Sequence, residues 1–313
     1  MKAKDKHQKN MGISFITPAF NCEDTIEESI LSIIKGNFHD GDEIIVVDDF
    51  SSDSTKLILL KLKKTYPQIK VYLNKWNRGS AATRNIAIEK AKNEYIFCLD
   101  SDNALVKNSI RRLFKYMIKM KANSAAFQYI YYFKDTIEVV THKWKFRGRE
   151  ITFADNIASP IVPGASGNYL FTKVSWINAG GYPQCRTLDT WGFGLRQLAT
   201  GTKMTVMPGT FYYHRYGHES NWIREKRKGK NSLIALQIIL PFIDLINKDD
   251  INYIMSKKHR FNWVDNLFKK PLKLANGIRG EGGEIIDKTI KNRQWLSLRS
   301  FIVKIGKLIK SNQ

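Results

Sequence analysis

Asp100 and Asp102 stand one residue apart, directly after the apolar run Tyr95 to Leu99. Two carboxylates at a strand end can divide a task, one coordinating a divalent cation while the other holds a ribose or sugar hydroxyl. Mg²⁺ typically takes one or two carboxylates together with substrate phosphates, and a metal held there neutralises charge that develops on a departing diphosphate. The run Asp100-Ser101-Asp102 also suits a turn followed by a helix cap, so taken alone it leaves both readings open. Asp48 and Asp49 end a second apolar run, Ile44 to Val47. A carboxylate in that place can accept the ring N–H of a uracil-like base, or it can serve an Asx turn. Phe20, with Pro18 and Asn21 around it, ends a third run, and its ring could stack on a base or enter the core.

Three further groups carry chemistry. The segment Asn77 to Asn85 opens a helix with Gly79 at the approach, and free N–H groups at a helix start favour anions. Arg84, one turn in, is placed to grip a phosphate with both arms of its guanidinium, or to lie on the surface. Asp189 precedes the helical stretch Thr190 to Ala199 and neighbours Trp191. It could serve as a general base on a hydroxyl or as a helix N-cap. His214, in a loop that also holds His218, offers a neutral imidazole to a metal.

The elements that must position these groups alternate. Strand-like runs at Gly12–Thr17, Glu43–Val47, Ile69–Leu73 and Glu94–Leu99 are separated by helical periodicities at 24–35, 54–62 and 81–92, and a helix at 108–121 follows. That order predicts an α/β fold with a mostly parallel sheet flanked by helices on both faces. In such sheets ligands bind beyond the carboxyl ends of the strands, which is where the polar clusters fall. The second half reads as strands at 125–133 and 137–146 joined by a turn at Lys134–Asp135, a short strand at 169–171, the helix 190–199 and a last strand at 204–207. Neither a G-x-G-x-x-G nor a G-x-x-x-x-G-K-[ST] run is present, which excludes those nucleotide-binding fingerprints.

The chain has 313 residues, 43 % of them hydrophobic and 26 % charged, the balance of a folded globular protein. Its net charge is +22, and residues 224–313 alone hold 20 Lys/Arg against 8 Asp/Glu. Such a surface attracts phosphates of any origin. Cys22, Cys98 and Cys185 are odd in number and widely spaced, which fits a reducing compartment rather than a disulfide framework or zinc site. Met1 to Asn10 is polar and basic, unlike a signal peptide. The longest apolar stretch, Leu233 to Ile246, is too short for a bilayer, which needs about 20 residues. The expected location is cytoplasmic, with peripheral contact at the cytoplasmic membrane face as a further expectation.

In order and spacing, the pieces between residues 14 and 102 resemble the family-2 glycosyltransferases of GT-A fold. Ser14 to Asn21 looks like that family's opening strand, Ile45 to Thr55 its base-binding motif, Asn77 to Asn85 the segment before its metal motif, and Tyr95 to Asp102 the metal motif. Gly164 to Phe171 and Gly180-Gly181-Tyr182 continue the likeness. The family usually places a carboxylate six residues before a helical Arg. Six before Arg196 is Thr190, and Asp189 is seven before, so either the helix start is shifted or another group is the base.

The resemblance implies a sugar transfer from a nucleotide-diphosphate-sugar, with UDP the expected nucleotide, to a hydroxyl of a glycan, lipid-linked or protein acceptor. It implies inversion and Mg²⁺ or Mn²⁺. Pro18, Phe20, Asn21, Asp49, Arg84 and Asp100 would bind the nucleotide-sugar, Asp102 and His214 the metal, and Asp189 would be the base. The domain organisation expected is a loose tail at 1–10, a GT-A domain at 11–222 and a basic, mainly helical extension at 223–313. In that extension Trp295, Leu298, Ile302, Ile305 and Ile309 recur at helical steps among lysines. Such a helix could lie on an anionic membrane or pack on the catalytic domain. The alternatives are a basic protein that binds nucleic acid or anionic membrane, and a non-catalytic sugar-nucleotide-binding relative. Specific nucleic-acid binding is not expected, because it leaves Asp49, Asp100 and Asp102 unexplained.

Overall fold

The computed structural model describes residues 11–158, 167–217, 223–224, 227 and 231–245. The expected N-terminal tail, His218 and nearly all of the basic extension lie outside the described residues.

Strands β1 (Ile13–Ala19), β2 (Glu43–Asp48), β3 (Ile69–Leu73) and β4 (Tyr95–Cys98) run parallel in the order β3-β2-β1-β4. Helices α1 (Ile26–Ile34), α2 (Thr55–Thr65) and α3 (Ser80–Lys90) connect them. All six residues of β2 are buried, as a strand covered on both faces requires. On one face Ile26, Ile30 and Ile33 of α1 join Leu59 and Leu62 of α2 and residues of α4 (Ser109–Lys119) in one core. On the other, Ala81, Ala87 and Ile88 of α3 join Phe193 and Tyr182 in a second. Full burial of each such aliphatic or aromatic side chain contributes roughly 1.5–3 kcal/mol.

The second half of the sheet departs from the mostly parallel expectation. Strand β8 (Leu170–Thr172) pairs antiparallel with both β4 and β5 (Ser124–Phe133). β5 then pairs parallel with β9 (Met204–Arg215), which carries the short antiparallel β7 (Glu150–Ile151) on its far side. β6 (Val140–Lys145) folds back antiparallel on β5. The sheet is therefore parallel in its first half and mixed in its second. Three short helices, α5 (Phe153–Ala158), α6 (Lys173–Asn178) and α7 (Asp189–Ala199), complete this part. Neither α5, α6 nor β7 shows in the sequence periodicity, because each is too short to establish one.

β9 is the largest difference from expectation, running to Arg215 instead of ending at Met207. Pro208-Gly209 is a dipeptide of turn chemistry, but here it forms a bulge. The pairing with β5 shifts register between Phe127 and Tyr129, Gly209 takes φ +69°, and its N–H donates to Gln128 Oε1 at 2.9 Å. The bulge sets three residues of β9, 208–210, against Gln128, absorbs the two extra residues and lets the strand continue.

Contacts divide the chain into two compact units. The first covers Met1–Tyr182 and Asp189–Glu219 and contains the whole sheet; the second covers Pro183–Leu188 and Ser220–Gln313. In the second, α8 (Asn231–Ile239) and a following 3₁₀ turn (Leu240–Leu245) are described. Among the described residues no helix is long and apolar enough to cross a membrane.

Candidate active site

Every candidate site residue lies in the first unit, and most stand at the carboxyl edge of β1 to β4. Asp49 follows β2 and is buried. Its Oδ1 accepts the Asn74 side-chain amide and the Arg78 N–H, both at 2.8 Å, and its Oδ2 accepts the Gly79 N–H at 2.8 Å. Gly79 is the N-cap of α3, with φ +86° and no side-chain cap. Asp49 thus supplies the anion that a helix start favours, a place where the sequence alone suggests a phosphate. A carboxylate has about four lone-pair sites, so three hydrogen bonds leave room for one more donor. Asp48 holds its own loop by accepting the Ser51 hydroxyl at 2.5 Å.

Asn21, at φ +45°, ties the loop after β1 to the loop after β2. Its N–H donates to Ser51 Oγ at 3.0 Å and its Oδ1 accepts the Ser52 N–H at 2.9 Å. Pro18 is half-buried in β1 and pairs with Val47. Phe20 is exposed on the same edge, and so are Phe50 and Trp76 on the loops after β2 and β3. The Arg78 guanidinium lies 5.6 Å from the Trp76 ring centroid. Phe50 and Trp76 escape sequence reasoning as site residues. The available signal is an aromatic just beyond a strand-end polar cluster.

Arg84 is the centre of the arrangement. It is buried in α3, and its two terminal nitrogens reach two carboxylates, Asp100 Oδ1 at 2.6 Å and Asp189 Oδ2 at 2.5 Å. Burial works against the guanidinium charge, but Asp189 and Asp100 more than offset it and hold the group well above its ordinary value. Tyr182 lies against it with its ring centroid at 5.6 Å, and is itself fixed by Asn85, which bonds both the N–H and the carbonyl of Tyr182. Both arms of the fork are therefore directed at carboxylates, a geometry different from a phosphate grip.

Asp100 is held from three sides. Its N–H donates to Asn168 Oδ1 at 2.6 Å, Asn168 Nδ2 donates to Asp100 Oδ2 at 3.3 Å, and its carbonyl accepts the Ser29 hydroxyl at 3.1 Å. Asp189 opens α7, one residue earlier than the sequence suggests, and is buried. Its Oδ2 accepts both Arg84 and the Ser80 hydroxyl, the latter at 3.3 Å, and Oδ1 takes neither of these bonds. Trp191 anchors the helix by donating to Asn156 O at 2.7 Å, and Arg196 bonds the Gly180 and Gly181 carbonyls at 3.3 Å.

Asp102 and His214 come from segments stitched together. Ala104 and Tyr213 exchange backbone hydrogen bonds of 3.1 and 2.9 Å, Arg215 N–H donates to Asn103 Oδ1 at 3.1 Å, and Arg215 Nε donates to the Asp102 carbonyl at 3.3 Å. Both residues are half-buried, and the His214 ring stands edge-on to Tyr132 at 5.2 Å. Arg215, which also pairs with Glu28 of α1, pins this loop without belonging to any motif in the sequence. Among the described residues no group of three or more His, Cys, Asp or Glu is arranged to hold a metal. Burial raises the Cys22 thiol to about 11 and the Cys98 thiol to about 12, so neither is an activated nucleophile.

This architecture has counterparts among known proteins. Over 120 residues, 38 % of this chain and 46 % of the relative, it is 35 % identical to the putative teichuronic acid biosynthesis glycosyltransferase TuaG of Bacillus subtilis. It is 34 % identical over 117 residues, 37 % of this chain and 44 % of the relative, to the UDP-Glc:alpha-D-GlcNAc-diphosphoundecaprenol beta-1,3-glucosyltransferase WfgD of Escherichia coli. The match thus spans less than half the length of these curated relatives. Among solved structures, residues 1–349 of S. aureus TarS in complex with UDP superpose with a TM-score of 0.59 at 18 % identity, over 78 % of this chain and 68 % of that one. GalNAc-T7 with UDP, GalNAc and Mn²⁺ superposes with a TM-score of 0.57 at 15 % identity, over 74 % and 48 %. Both likenesses are of fold, the GT-A type. Residues 14–176 match the family described as glycosyl transferase family 2, and with that match, the strand order and the polar edge in agreement, the chain belongs to this family.

Proposed function

We propose that the protein transfers a sugar from a nucleotide-diphosphate-sugar, UDP-linked, to a hydroxyl of a glycan or lipid-linked glycan, with inversion and with Mg²⁺ or Mn²⁺. The single observation that carries this reading is the Asp100–Arg84–Asp189 bridge. It joins the carboxylate that ends β4 to the carboxylate that opens α7 through one buried guanidinium. Relatives named for UDP-Glc transfer and GT-A structures that hold UDP support the donor class.

In this reading the Asp49 carboxylate offers its remaining lone pair to the base, and Phe20 gives an apolar face beside it. Asp100, fixed by Asn168 and Arg84, faces a ribose or sugar hydroxyl. Asp102 and His214 would hold the metal. Two protein donors fit Mg²⁺ or Mn²⁺, since such ions complete their shell with diphosphate oxygens and water. A bound ion supplies charge neutralisation for the leaving diphosphate. Asp189, paired with Arg84 through Oδ2, keeps Oδ1 for an acceptor hydroxyl. As the acceptor oxygen bonds to the anomeric carbon, the bond from that carbon to the diphosphate oxygen breaks. The hydroxyl proton passes to Asp189.

Calorimetry with a panel of nucleoside diphosphates and nucleotide-sugars, with Mn²⁺ and with chelator, tests this on wild type and Asp102→Ala. The expected result is metal-dependent binding of uridine compounds that the substitution weakens at least tenfold. Absence of binding by the folded protein to every member of the panel would overturn it.

A further inference from the structure

Beyond the bulge at Gly209, β5, β6 and β9 form a ribbon with one continuous face of rings and ammonium groups. Register sets Lys145, Tyr129 and Phe211 side by side in one row and Lys143, Tyr131 and Tyr213 in the next. Tyr131 stacks on Phe211 with centroids 3.9 Å apart, and Tyr213 stands edge-on to both. The Lys143 Nζ lies 4.5 Å from the Tyr131 centroid and the Lys145 Nζ 5.3 Å from that of Tyr129. Both lysines are exposed and the four rings are half-buried. Residues 140–149 carry Lys143, Lys145, Arg147 and Arg149 and no carboxylate. Lysines two residues apart on a strand repeat at roughly 7 Å. The rows begin at the candidate site, since Tyr213 is hydrogen-bonded to Ala104, two residues beyond Asp102.

We infer that this face is the docking surface for an anionic glycan, the chain that carries the accepting hydroxyl. The inference rests on the proposed sugar transfer for its direction, from the ribbon into the site. Sugar rings present flat C–H faces to Tyr and Phe, and their carboxylate or phosphate substituents meet the ammonium groups. A neutral glycan leaves Lys143 and Lys145 unused, and a simple polyanion leaves the rings unused. The pairing of one lysine with one tyrosine in each row matches a polymer that alternates ring and charge. Bases of a single-stranded nucleic acid could stack on the same rings, but a growing glycan is the polymer whose end must reach Asp102.

The test is binding without donor, by the full chain, of a polygalacturonate decamer, with one carboxylate per sugar ring. Dextran, polyphosphate and oligothymidylate of similar length serve as comparisons. Wild type is expected to bind polygalacturonate at least tenfold more tightly than any of the other three. Lys143→Glu/Lys145→Glu should weaken it at least tenfold while leaving uridine nucleotide binding unchanged, which separates failure of this surface from failure of the donor reading. Tyr131→Leu should weaken polygalacturonate severalfold and leave any residual polyphosphate binding alone. Three outcomes would overturn the inference: equal or tighter binding of polyphosphate, equal or tighter binding of oligothymidylate, or polygalacturonate affinity that the lysine reversal does not change.

Discussion

The β1–β4 half of the sheet keeps its charges inside, whereas the β5–β6–β9 ribbon keeps them outside. In the first, Asp49 is enclosed by three hydrogen bonds, and Arg84 is buried between Asp100 and Asp189. In the second, rings lie half-buried and the lysines above them face water. Buried charges need fixed partners, because a low-dielectric site multiplies both their attraction and the penalty for leaving one alone. Exposed cations over rings need none, and gain little from any one contact. The first region therefore holds atoms to a geometry, as positioning a reacting centre demands. The second offers an adaptable surface, as a repeating polymer demands.

The sharpest break of this contrast is Arg84→Ala. It leaves Asp189 buried and Asp100 three-quarters buried without their counter-ion, and the expected cost is about 3–5 kcal/mol. Arg84→Lys should fall between, since an ammonium cannot span two carboxylates as a planar fork does. Denaturant midpoints measure both. A midpoint for Arg84→Ala equal to that of wild type would mean the charges are not acting as a network.

Glu43 extends the contrast to the other edge of the same half. Its carboxylate is buried and accepts Ser14 Oγ at 2.6 Å, Lys70 Nζ at 2.7 Å and Lys92 N–H at 2.7 Å. Burial raises its pKa, but the bonds from Lys70, Ser14 and Lys92 outweigh that and hold it below the ordinary 4.5. A depressed folded pKa means the unfolded chain takes up the proton first. The stabilisation is therefore complete above pH 4.5 and is lost as the pH falls through the folded value. Glu43→Gln should cost about 1.5–3 kcal/mol at neutral pH. The gap to wild type should narrow as acid unfolding curves descend below pH 4.5; a gap independent of pH would assign the loss to packing.

The two regions also differ in how much of them can be read in advance. The strand-end clusters are legible because a polar residue after an apolar run marks a carboxyl edge whatever the tertiary detail. Asp49, Asp100 and Asp102 stand on that edge as expected. The partnership of Arg84 with Asp189 is not legible, because 105 residues separate them and only the assembled fold brings α7 beside α3. Asp49 satisfying the start of α3 is hidden for the same reason. The ribbon is obscured by Pro208-Gly209, which carries turn chemistry locally and a bulge in context. Its ring rows depend on a register set by that bulge, which no periodicity displays. Arg215 has no local signal at all, being defined by the Asp102 loop it holds.

Gly79→Ala probes the backbone share of the first region. A Cβ there meets nothing within 4 Å, so space is no obstacle. The obstacle is φ +86°, which side-chain-bearing residues rarely adopt. The expected cost is about 1–2 kcal/mol, seen in the denaturant midpoint. Uridine nucleotide binding should weaken with it if the Asp49 clamp is part of the donor site.

Tyr131→Leu gives the smallest expected change and bears most directly on the second region. The ring is half-buried, its stack on Phe211 contributes about 0.5–1.5 kcal/mol beyond area burial, and leucine retains much of the apolar contact. The denaturant midpoint should therefore move slightly, far less than for Arg84→Ala. If the ribbon instead behaved as a second rigid core, the loss would approach the 3–5 kcal/mol of a deleted buried aromatic, and the contrast between the halves would fail. A small loss, with glycan affinity reduced severalfold, would mean that these rings serve what lies on them more than what lies beneath.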